Sequence, residues 1–399
     1  MGVSIGGTVA GLFAGIGGIE LGLSRAGFHS TYLCEVDRRC QAVLTSAFPD
    51  VEITSDVRDI KALPSVDVIA AGFPCQDLSV AGRRAGIEGD RSGLVQQLFR
   101  LIANKRKSKS RWLIIENVPY MLGLDGGKAM AYLTSELDAL GFTWAYRVVD
   151  ARSFGIPQRR RRVYLVASRT EDPRQVLFAD EHGTSPVDDN TEPVSGFPYG
   201  FYWTEGLRGV GWTQDSVPPI KGGSGLGIPS APALWIPSRR FLGTIDIRDA
   251  ERLQGFEADW TKPAEGVEGA RPSARWQLVG NAVCAEVAHW LGYRLAHPSE
   301  ALATSAIWNR KGSWPRAAWG KGGKIYEVDA SHYPVSSSYK RIEEFLKFPL
   351  KPLSERATRG YLSRARRCWW YVSPTFLSDV EAHLHTMSRL SMAGEAAAS

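Results

Sequence analysis

A cysteine and a glutamate each follow a short apolar run, which is where an α/β protein places reactive side chains. Cys75 lies in the segment Gly-Phe-Pro-Cys-Gln at 72–76, directly after the apolar run 66–71. Glu116 directly follows the apolar run 112–115. If both runs are parallel strands, the thiol and the carboxyl group meet at the carboxyl edge of one sheet. A cysteine is usually a small buried hydrophobe, but on a proline-stiffened loop at this edge it has the setting of a nucleophile.

This pair of groups suits methylation at carbon 5 of a pyrimidine. That carbon is a poor nucleophile, and addition of a thiolate to carbon 6 breaks the aromaticity and activates it. Covalent addition thus replaces one hard step by two easier ones. Glu116 would then stabilise the adduct at ring N3, which requires a raised pKa of the kind that burial supplies. Cys75 requires a lowered pKa, which the four arginines at 159–162 could provide.

A glycine-rich segment, Phe-Ala-Gly-Ile-Gly-Gly at 13–18, lies between a predicted strand and a predicted helix. Such a loop lets the backbone turn tightly and approach a nucleotide-like cofactor. Glu35 follows Gly15 by 20 residues, the position at which a carboxylate accepts hydrogen bonds from ribose hydroxyls. Asp56 could accept an exocyclic adenine amine, although helix N-capping competes as an interpretation of both acids. These residues predict an adenosine cofactor, and Cys75 with Glu116 favour S-adenosylmethionine over a dinucleotide.

The first part of the chain predicts the fold that positions these groups. Between residues 8 and 168, short apolar runs alternate with segments in which apolar residues recur at the helical period. This alternation is typical of βαβ units and a parallel sheet. The sequence therefore predicts an α/β fold with a doubly wound, Rossmann-like domain. Residues 143–149 and 162–167 are predicted as a hairpin or as two final strands.

The rest of the chain divides into three further parts. Residues 171–245 are rich in Pro, Gly, Ser and Trp without sustained periodicity, which predicts a small, irregular second domain after a catalytic part at 1–170. Helices predicted near 247–254 and 282–295 return the chain to the catalytic domain over 246–299. Residues 300–399 form a C-terminal extension in which tryptophans stand near arginines. A further nucleic-acid surface and a packed stabilising appendage both remain open for it.

Composition narrows the class of protein. The chain has 399 residues, of which 44% are hydrophobic, and no apolar run approaches the length of a membrane span, so we expect no membrane association. Its five cysteines include no C-x-x-C pair, which argues against a zinc ribbon or a disulfide framework and for the reducing cytosol. The seven histidines include no H-x-x-x-H pair. We therefore expect a cytoplasmic monomer with no metal.

The basic residues are clustered. Lys and Arg exceed Asp and Glu by 48 − 42 = 6, and the excess concentrates at 105–111, 159–162 and 356–367. Clusters of this kind suit a polyanion, although solvated surface charge is the competing interpretation of each one. The composition therefore permits a nucleic-acid partner without requiring one.

Six blocks of the sequence, in order, resemble the signature blocks of the DNA (cytosine-5) methyltransferases of bacteria and phages. They lie at 13–18, 72–76, 116–118, 158–162, 248–256 and 279–283. The match covers roughly residues 8–168 and 246–295. The resemblance implies an enzyme that uses S-adenosylmethionine to methylate carbon 5 of cytosine within a short, specific site in double-stranded DNA.

The resemblance also implies roles for individual residues. Cys75 is implied as the nucleophile and Glu116 as the group that contacts ring N3. Arg160 and Arg162 match the two arginines that hold the target cytosine and order the catalytic loop. The S-adenosylmethionine positions of the family fall on Phe13, Gly15, Gly17, Glu35, Val36, Asp56 and Asn281.

The expected DNA contacts lie on a loop and in the irregular segment. The loop at 76–90 resembles the mobile loop that closes over DNA, and residues 171–245 lie where the family has its target-recognition domain. The residues expected to bind DNA are Gln76, Ser79, Gln158, Lys221, Ser224, Arg239 and Arg240. For the four in the irregular segment, reading of base edges and contact with phosphates both remain open.

Because carbon 5 is hidden within the duplex, the enzyme is expected to swing the target base out of the stack. Two other functions compete with this one: methylation of cytosine in transfer RNA by an enzyme of the same fold, and DNA binding without catalysis. The irregular segment favours DNA, and the intact residues Cys75, Gln76, Glu116 and Arg160 argue against loss of catalysis. A cognate restriction endonuclease acting on the same site is a further partner that the sequence leaves open.

Overall fold

The structure, a computed structural model, describes residues 6–73, 93–103, 110–187, 196–205, 210–222, 231–271, 273–309, 313–367 and 372–398. Its strands are β1 (Thr8–Leu12), β2 (His29–Cys34), β3 (Glu52–Thr54), β4 (Val68–Ala71), β5 (Trp112–Asn117), β6 (Thr143–Asp150), β7 (Arg161–Ser168), β8 (Tyr199–Phe201), β9 (Thr213–Gln214), β10 (Ala233–Ile236), β11 (Phe241–Thr244), β12 (Ser305–Ile307), β13 (Ala317–Lys321), β14 (Lys324–Val328) and β15 (Lys351–Pro352).

The helices of the described residues follow in the same order. They are α1 (Gly18–Arg25), α2 (Arg38–Ala47), α3 (Gly93–Ala103), α4 (Lys128–Ala139), α5 (Arg174–Leu177), α6 (Ile247–Arg252), α7 (Ala274–Asn281), α8 (Ala285–Ala296), α9 (Ile342–Phe345), α10 (Glu355–Ala365) and α11 (Pro374–Ala398). In the described ranges, no helix is both long enough and apolar enough to span a bilayer.

A ten-stranded sheet forms the larger lobe, with the strand order β12-β14-β13-β6-β7-β5-β4-β1-β2-β3. Neighbouring strands from β3 to β5 are parallel, and β7, β6, β13, β14 and β12 continue the sheet as antiparallel neighbours. Alternate residues of one strand enter different cores: Ala10 and Leu12 pack on the side of α3 and α4, whereas Val9 packs on the side of α1 and α8. Strands buried on both faces explain the continuous apolar runs. The predicted doubly wound α/β domain is confirmed.

The predicted hairpin of 143–149 and 162–167 is also confirmed, since β6 and β7 pair antiparallel over their full lengths. The helix predicted at 282–295 begins later, at Ala285, and a separate helix, α7, precedes it. The 279–283 block therefore forms the junction of two helices.

A smaller lobe contains a five-stranded antiparallel sheet with the order β15-β11-β10-β8-β9. Its core includes Tyr199, Phe201, Trp235, Tyr361 and Phe376, all of them 1% exposed or less. The last two residues come from α10 and α11, so the end of the chain completes this lobe. Trp235 is therefore part of a hydrophobic core and is not available to stack on bases.

Two of the predicted domain boundaries are wrong. Residues 171–187 fall within the predicted irregular domain, but Val176, Leu177 and Phe178 lie in the core beneath α8 of the larger lobe. The extension 300–399 is not one unit: β12–β14 lengthen the large sheet, and 351–398 belong to the small lobe. Both boundaries are wrong for the same reason. Strand pairing and core packing join residues there that are far apart in the chain.

Candidate active site

The carboxyl ends of two neighbouring parallel strands hold the centre of the site. β4 and β5 pair with Ala71 opposite Ile115, so the residues that follow them leave the same sheet edge side by side. The Asn117 side-chain amide donates to the carbonyl oxygen of Phe73 over 3.0 Å, and this bond is buried. Its own oxygen accepts from Val118 N at 2.9 Å. Asn117 therefore fixes the peptide immediately before Pro74.

Cys75 lies outside the described residues, as do Gln76 and Ser79, because the description stops at 73 and resumes at 93. The structure does describe Phe73, the last described residue before Cys75. Phe73 is 3% exposed, and its ring packs edge-on against Phe13 with centroids 6.2 Å apart. The loop therefore starts from a buried, fixed position beside the glycine-rich segment.

Glu116 is buried at the same edge and paired with an arginine. Arg162 Nε lies 3.2 Å from its Oε1 atom, across the antiparallel pair of β5 and β7. Burial raises the pKa of Glu116, and the positive charges of Arg162 and Arg160 oppose the rise without cancelling it. The side chain is therefore a carboxyl that retains a proton more readily than an ordinary glutamate.

Arg160 joins this edge to the last sequence block. Its Nη2 atom donates to the carbonyl oxygens of Ala282, at 2.6 Å, and Gly280, at 3.2 Å. Burial, reinforced by the charge of Arg162, lowers its pKa to about 9. Among the described residues its buried Nε and Nη1 atoms have no hydrogen-bond partner. Arg160 thus has donors available for a group that the described chain does not supply.

Gln158 does not have the role predicted for it. The side chain is fully buried, donates to the carbonyl oxygen of Leu253 over 2.7 Å, and accepts from Ile220 N at 3.1 Å. Both polar ends of the amide are therefore used inside the protein, and no surface remains for DNA. Gln158 connects the segment around Ile220 to the end of α6.

A cleft of about 380 Å³ opens beside Glu116. It is lined by the glycine-rich segment, the end of β2 and the junction of α7 with α8, including Phe13, Gly15, Glu35, Val36 and Asn281. Phe13 and Gly15 have left-handed φ values of 55° and 56°, which turn the backbone around the cleft. Gly17 also has a left-handed φ, 84°, and caps the N-terminus of α1 beneath this turn.

Glu35 holds two turns of this cleft together. Its Oε2 atom accepts from Gly15 N and its Oε1 atom from Asp37 N, each at 2.8 Å. Burial raises its pKa, and these two backbone bonds partly offset the rise. The N-cap of α2 is Asp37, not Glu35. The capping interpretation of Glu35 is therefore wrong, and its side chain faces the cleft.

Asp56 is not among the residues that line the cleft. Its carboxylate accepts from Arg58 N at 2.8 Å and pairs with the Arg58 guanidinium at 2.6 Å. This arginine holds the pKa of Asp56 below its ordinary value. Asp56 thus has a local partner in Arg58, and its contact with the adenine stays a prediction.

The residues of the small lobe that are predicted to bind DNA differ in their exposure and in their partners. Lys221 pairs with Glu205 and lies 3.8 Å from the centre of the Tyr202 ring. Arg240 pairs with Asp379 of α11 over 2.7 Å, so it holds the lobe together. Arg239 is the most exposed of the three, with a side chain 72% exposed and Glu343 at 3.8 Å. Ser224 lies outside the described residues.

The donor set fits S-adenosylmethionine and gives no sign of a metal. The cleft offers a half-buried carboxyl at Glu35, an apolar wall that includes Val36, and an amide at Asn281. Within the described ranges, no three His, Cys, Asp or Glu side chains are grouped so as to hold a metal ion. Asn117 and Glu20 have no predicted role. The place of Asn117 beside Glu116 was a usable signal, and Glu20 also lines the cleft.

Comparison with known proteins identifies the family. The family model "C-5 cytosine-specific DNA methylase" matches residues 7–196. Type II methyltransferase M2.BsuMI of Bacillus subtilis is 53% identical over 90% of this chain and 93% of its own length. Type II methyltransferase M.HhaI of Haemophilus parahaemolyticus is 32% identical over 40% of this chain and 48% of its own.

Solved structures agree on the fold. The Dnmt2 methyltransferase of S. pombe has a TM-score of 0.52 at 16% identity, and the methyltransferase EhMeth of Entamoeba histolytica has 0.51 at 18%. Each comparison covers 72% of this chain and 97% of the other. The chain belongs to the C-5 cytosine-specific DNA methylases and is a DNA cytosine-5 methyltransferase that uses S-adenosylmethionine.

Proposed function

We propose that this enzyme methylates a flipped-out cytosine within a short, specific duplex site by covalent attack of Cys75 on carbon 6. The observation that supports this most directly is the anchoring of Phe73 by Asn117, next to the buried Glu116. Cys75 follows Phe73 by two residues, so the two Cα atoms can be at most about 7.6 Å apart. The cysteine loop therefore starts from the sheet edge that also holds Glu116, whose pKa burial raises.

Glu116 acts at ring N3 in this mechanism. As the Cys75 sulfur forms its bond to carbon 6, electron density moves through the ring toward N3, and the Glu116 carboxyl donates a hydrogen bond or a proton there. Burial favours the protonated form, and Arg162 at 3.2 Å stabilises the carboxylate left after proton transfer. S-adenosylmethionine supplies the electrophilic methyl group. Carbon 5 would attack that methyl group, so that the methyl–sulfur bond breaks and S-adenosylhomocysteine leaves. A base such as water then takes the proton from carbon 5, the Cys75 sulfur departs as a thiolate, and any proton given to N3 returns to the Glu116 carboxylate, which restores the aromatic ring.

Arg160 offers hydrogen-bond donors to the same site. Two of its donors have no partner among the described residues and lie in a buried position between Glu116 and the 279–283 block, and a buried donor without an acceptor is unfavourable. We assign these donors to the target cytosine or to the closed cysteine loop. Arg162 contributes its charge to the pair with Glu116.

The small lobe, residues 196–244 with 351–398, is the proposed target-recognition domain. Exposed cations such as Arg239 suit phosphates or guanine edges. Unstacking the base costs a few kcal/mol, which phosphate contacts would offset. The relatives named as Type II methyltransferases suggest a cognate endonuclease for the same site.

Methyl transfer from labelled S-adenosylmethionine to unmethylated genomic DNA, with transfer RNA as the alternative substrate, tests the proposal. We expect label in DNA alone. Cys75→Ser should abolish turnover and keep cofactor binding, and a duplex carrying 5-fluorocytosine at the site should remain covalently attached to the wild-type protein only. Full turnover of the Cys75→Ser protein, or label in transfer RNA, would overturn it.

A further inference from the structure

One buried carboxyl group in the cleft has no role in the steps above. Glu20 lies in the first turn of α1, is 2% exposed and lines the cleft. Among the described residues its Oε2 atom, itself buried, has no hydrogen-bond partner. A buried polar atom without a partner is rare in folded proteins and calls for a ligand or another explanation.

The fold makes room for this carboxyl on the sheet. Glu20 Oε1 lies against the backbone of Gly11 in β1, so closely that any side chain at position 11 would collide with it. Leu33 of β2 lies on the other side of the same space. The Glu20 carboxyl thus occupies a fixed position between α1, β1 and the cleft.

The charges around Glu20 are mostly of its own sign. Among the described residues that line the cleft, the titratable groups besides Glu20 are Glu35, Asp37, Cys40, Glu116 and Arg162. Arg162 pairs with Glu116, and Asp37 pairs with Arg39, so neither cation serves Glu20. Burial raises the pKa of Glu20 to about 7, its own backbone N–H opposes the rise, and the charge of Glu35 adds to it. A cation entering the cleft would relieve this unfavourable arrangement.

We propose that Glu20 is the counter-ion for a cationic group of the methyl donor, which enters the cleft beside its buried Oε2 atom. S-adenosylmethionine carries two such groups, the sulfonium and the amino-acid ammonium. The proposal depends on the use of S-adenosylmethionine and is independent of the Cys75 mechanism, because binding is measured without DNA.

Calorimetric titration of wild type and Glu20→Gln provides the test, with three ligands of different charge. S-adenosylmethionine has both cations, S-adenosylhomocysteine has the ammonium only, and 5′-methylthioadenosine has neither. We expect Glu20→Gln to weaken S-adenosylmethionine binding by roughly 10- to 100-fold and to leave 5′-methylthioadenosine unchanged. An equal loss for S-adenosylhomocysteine assigns the ammonium, and its absence assigns the sulfonium. An equal loss for all three ligands, or no loss, would overturn the proposal.

Proton release gives a second readout that a purely structural role would not change. Titrations at pH 7 in phosphate and in Tris should show that wild type releases up to about half a proton per donor bound, and Glu20→Gln should release less. The control is Glu52→Gln, which removes an exposed carboxyl on β3 and should match wild type. Should Glu20→Gln fail to fold, wild type alone suffices: its affinity for S-adenosylmethionine should rise between pH 6 and 8 while that for 5′-methylthioadenosine stays constant. Constant affinity for both would refute the role of Glu20.

Discussion

The charged residues of the sheet edge differ from those of the small lobe in their burial and in their partners. At the edge, Glu116 and Arg160 are buried and held by neighbours of the same lobe at 3.2 Å or less. In the small lobe, Arg239 is largely exposed, and Arg240 is half-exposed and pairs with the distant α11. Chemistry at one carbon atom requires side chains locked in position. Recognition of a polyanion works through exposed cations that exchange salt ions for phosphates. The difference suggests that substitutions at the edge will change turnover, whereas those in the lobe will change DNA affinity.

We expect the largest effect on turnover for Glu116→Gln, a substitution at the sheet edge. The amide cannot transfer a proton to ring N3, so we expect kcat to fall by roughly 100- to 10,000-fold with unchanged affinity for S-adenosylmethionine and DNA. Single-turnover methylation of genomic DNA measures it, and Glu52→Gln is the exposed control. Turnover within a few-fold of wild type would remove Glu116 from the chemistry.

The second prediction tests whether the end of the chain belongs to the small lobe. Phe376 of α11 is fully buried and packs against Phe201, Trp212 and Trp235 with ring centroids 5.0–5.3 Å apart. Phe376→Ala should cost about 3–5 kcal/mol of unfolding free energy, measured by denaturant titration, and should weaken DNA binding. S-adenosylmethionine affinity should not change.

Leu390 provides the matched control for Phe376. It lies on the same helix but is 60% exposed, so Leu390→Ala should stay within about 0.5 kcal/mol of wild type. If Phe376→Ala weakened cofactor binding as much as DNA binding, the two lobes would not be separable in this way.

The sequence predicts the sheet edge well because its signals are local. An apolar run, a turn residue and a polar residue next to each other suffice to place Glu116 and Glu35. The sequence does not predict that β12, β13 and β14 join the large sheet. The reason is that β13 pairs with β6 across about 170 residues, with Ala317 opposite Arg147. The hairpin itself had a local signal that went unused: Gly322-Gly323 between β13 and β14, both at left-handed φ, is typical of a tight hairpin turn.

Asp56 belongs to a local turn that recurs along the chain. In five places an Asp-x-Arg sequence folds the same way, with the arginine N–H and guanidinium both bound to the aspartate. The aspartates are Asp37, Asp56, Asp150, Asp172 and Asp246. The turn alone does not decide whether an acid faces the cleft, because Asp37 lines the cleft while it pairs with Arg39. Glu35 lacks such an arginine and faces the cleft.

A moderate effect is expected at the anchor between the two strand ends. Asn117→Ala removes the bond to the Phe73 carbonyl oxygen and leaves a buried acceptor unsatisfied, at a cost of about 1–3 kcal/mol. We expect a similar loss to appear in kcat, because the cysteine loop would start from a less fixed position. Ser135→Ala, which removes an exposed hydroxyl of α4, should not change it. A variant with lowered stability and normal kcat would show that the anchor serves folding only.

The smallest effects should separate two neighbouring arginines. Within the part of the chain that the structure describes, Arg239 has only a long contact to Glu343 at 3.8 Å, so its guanidinium can take a phosphate at little cost. Arg239→Ala should reduce the slope of log affinity against log salt concentration by about 0.9, measured by fluorescence anisotropy with duplex DNA. Arg240 is already bound to Asp379 at 2.7 Å and to Ser378 at 3.3 Å. Arg240→Ala should therefore keep the salt slope and lower the unfolding temperature slightly. The same slope change in both variants would mean that the Asp379 pair opens on DNA, and the division between structural and DNA-facing arginines would fail.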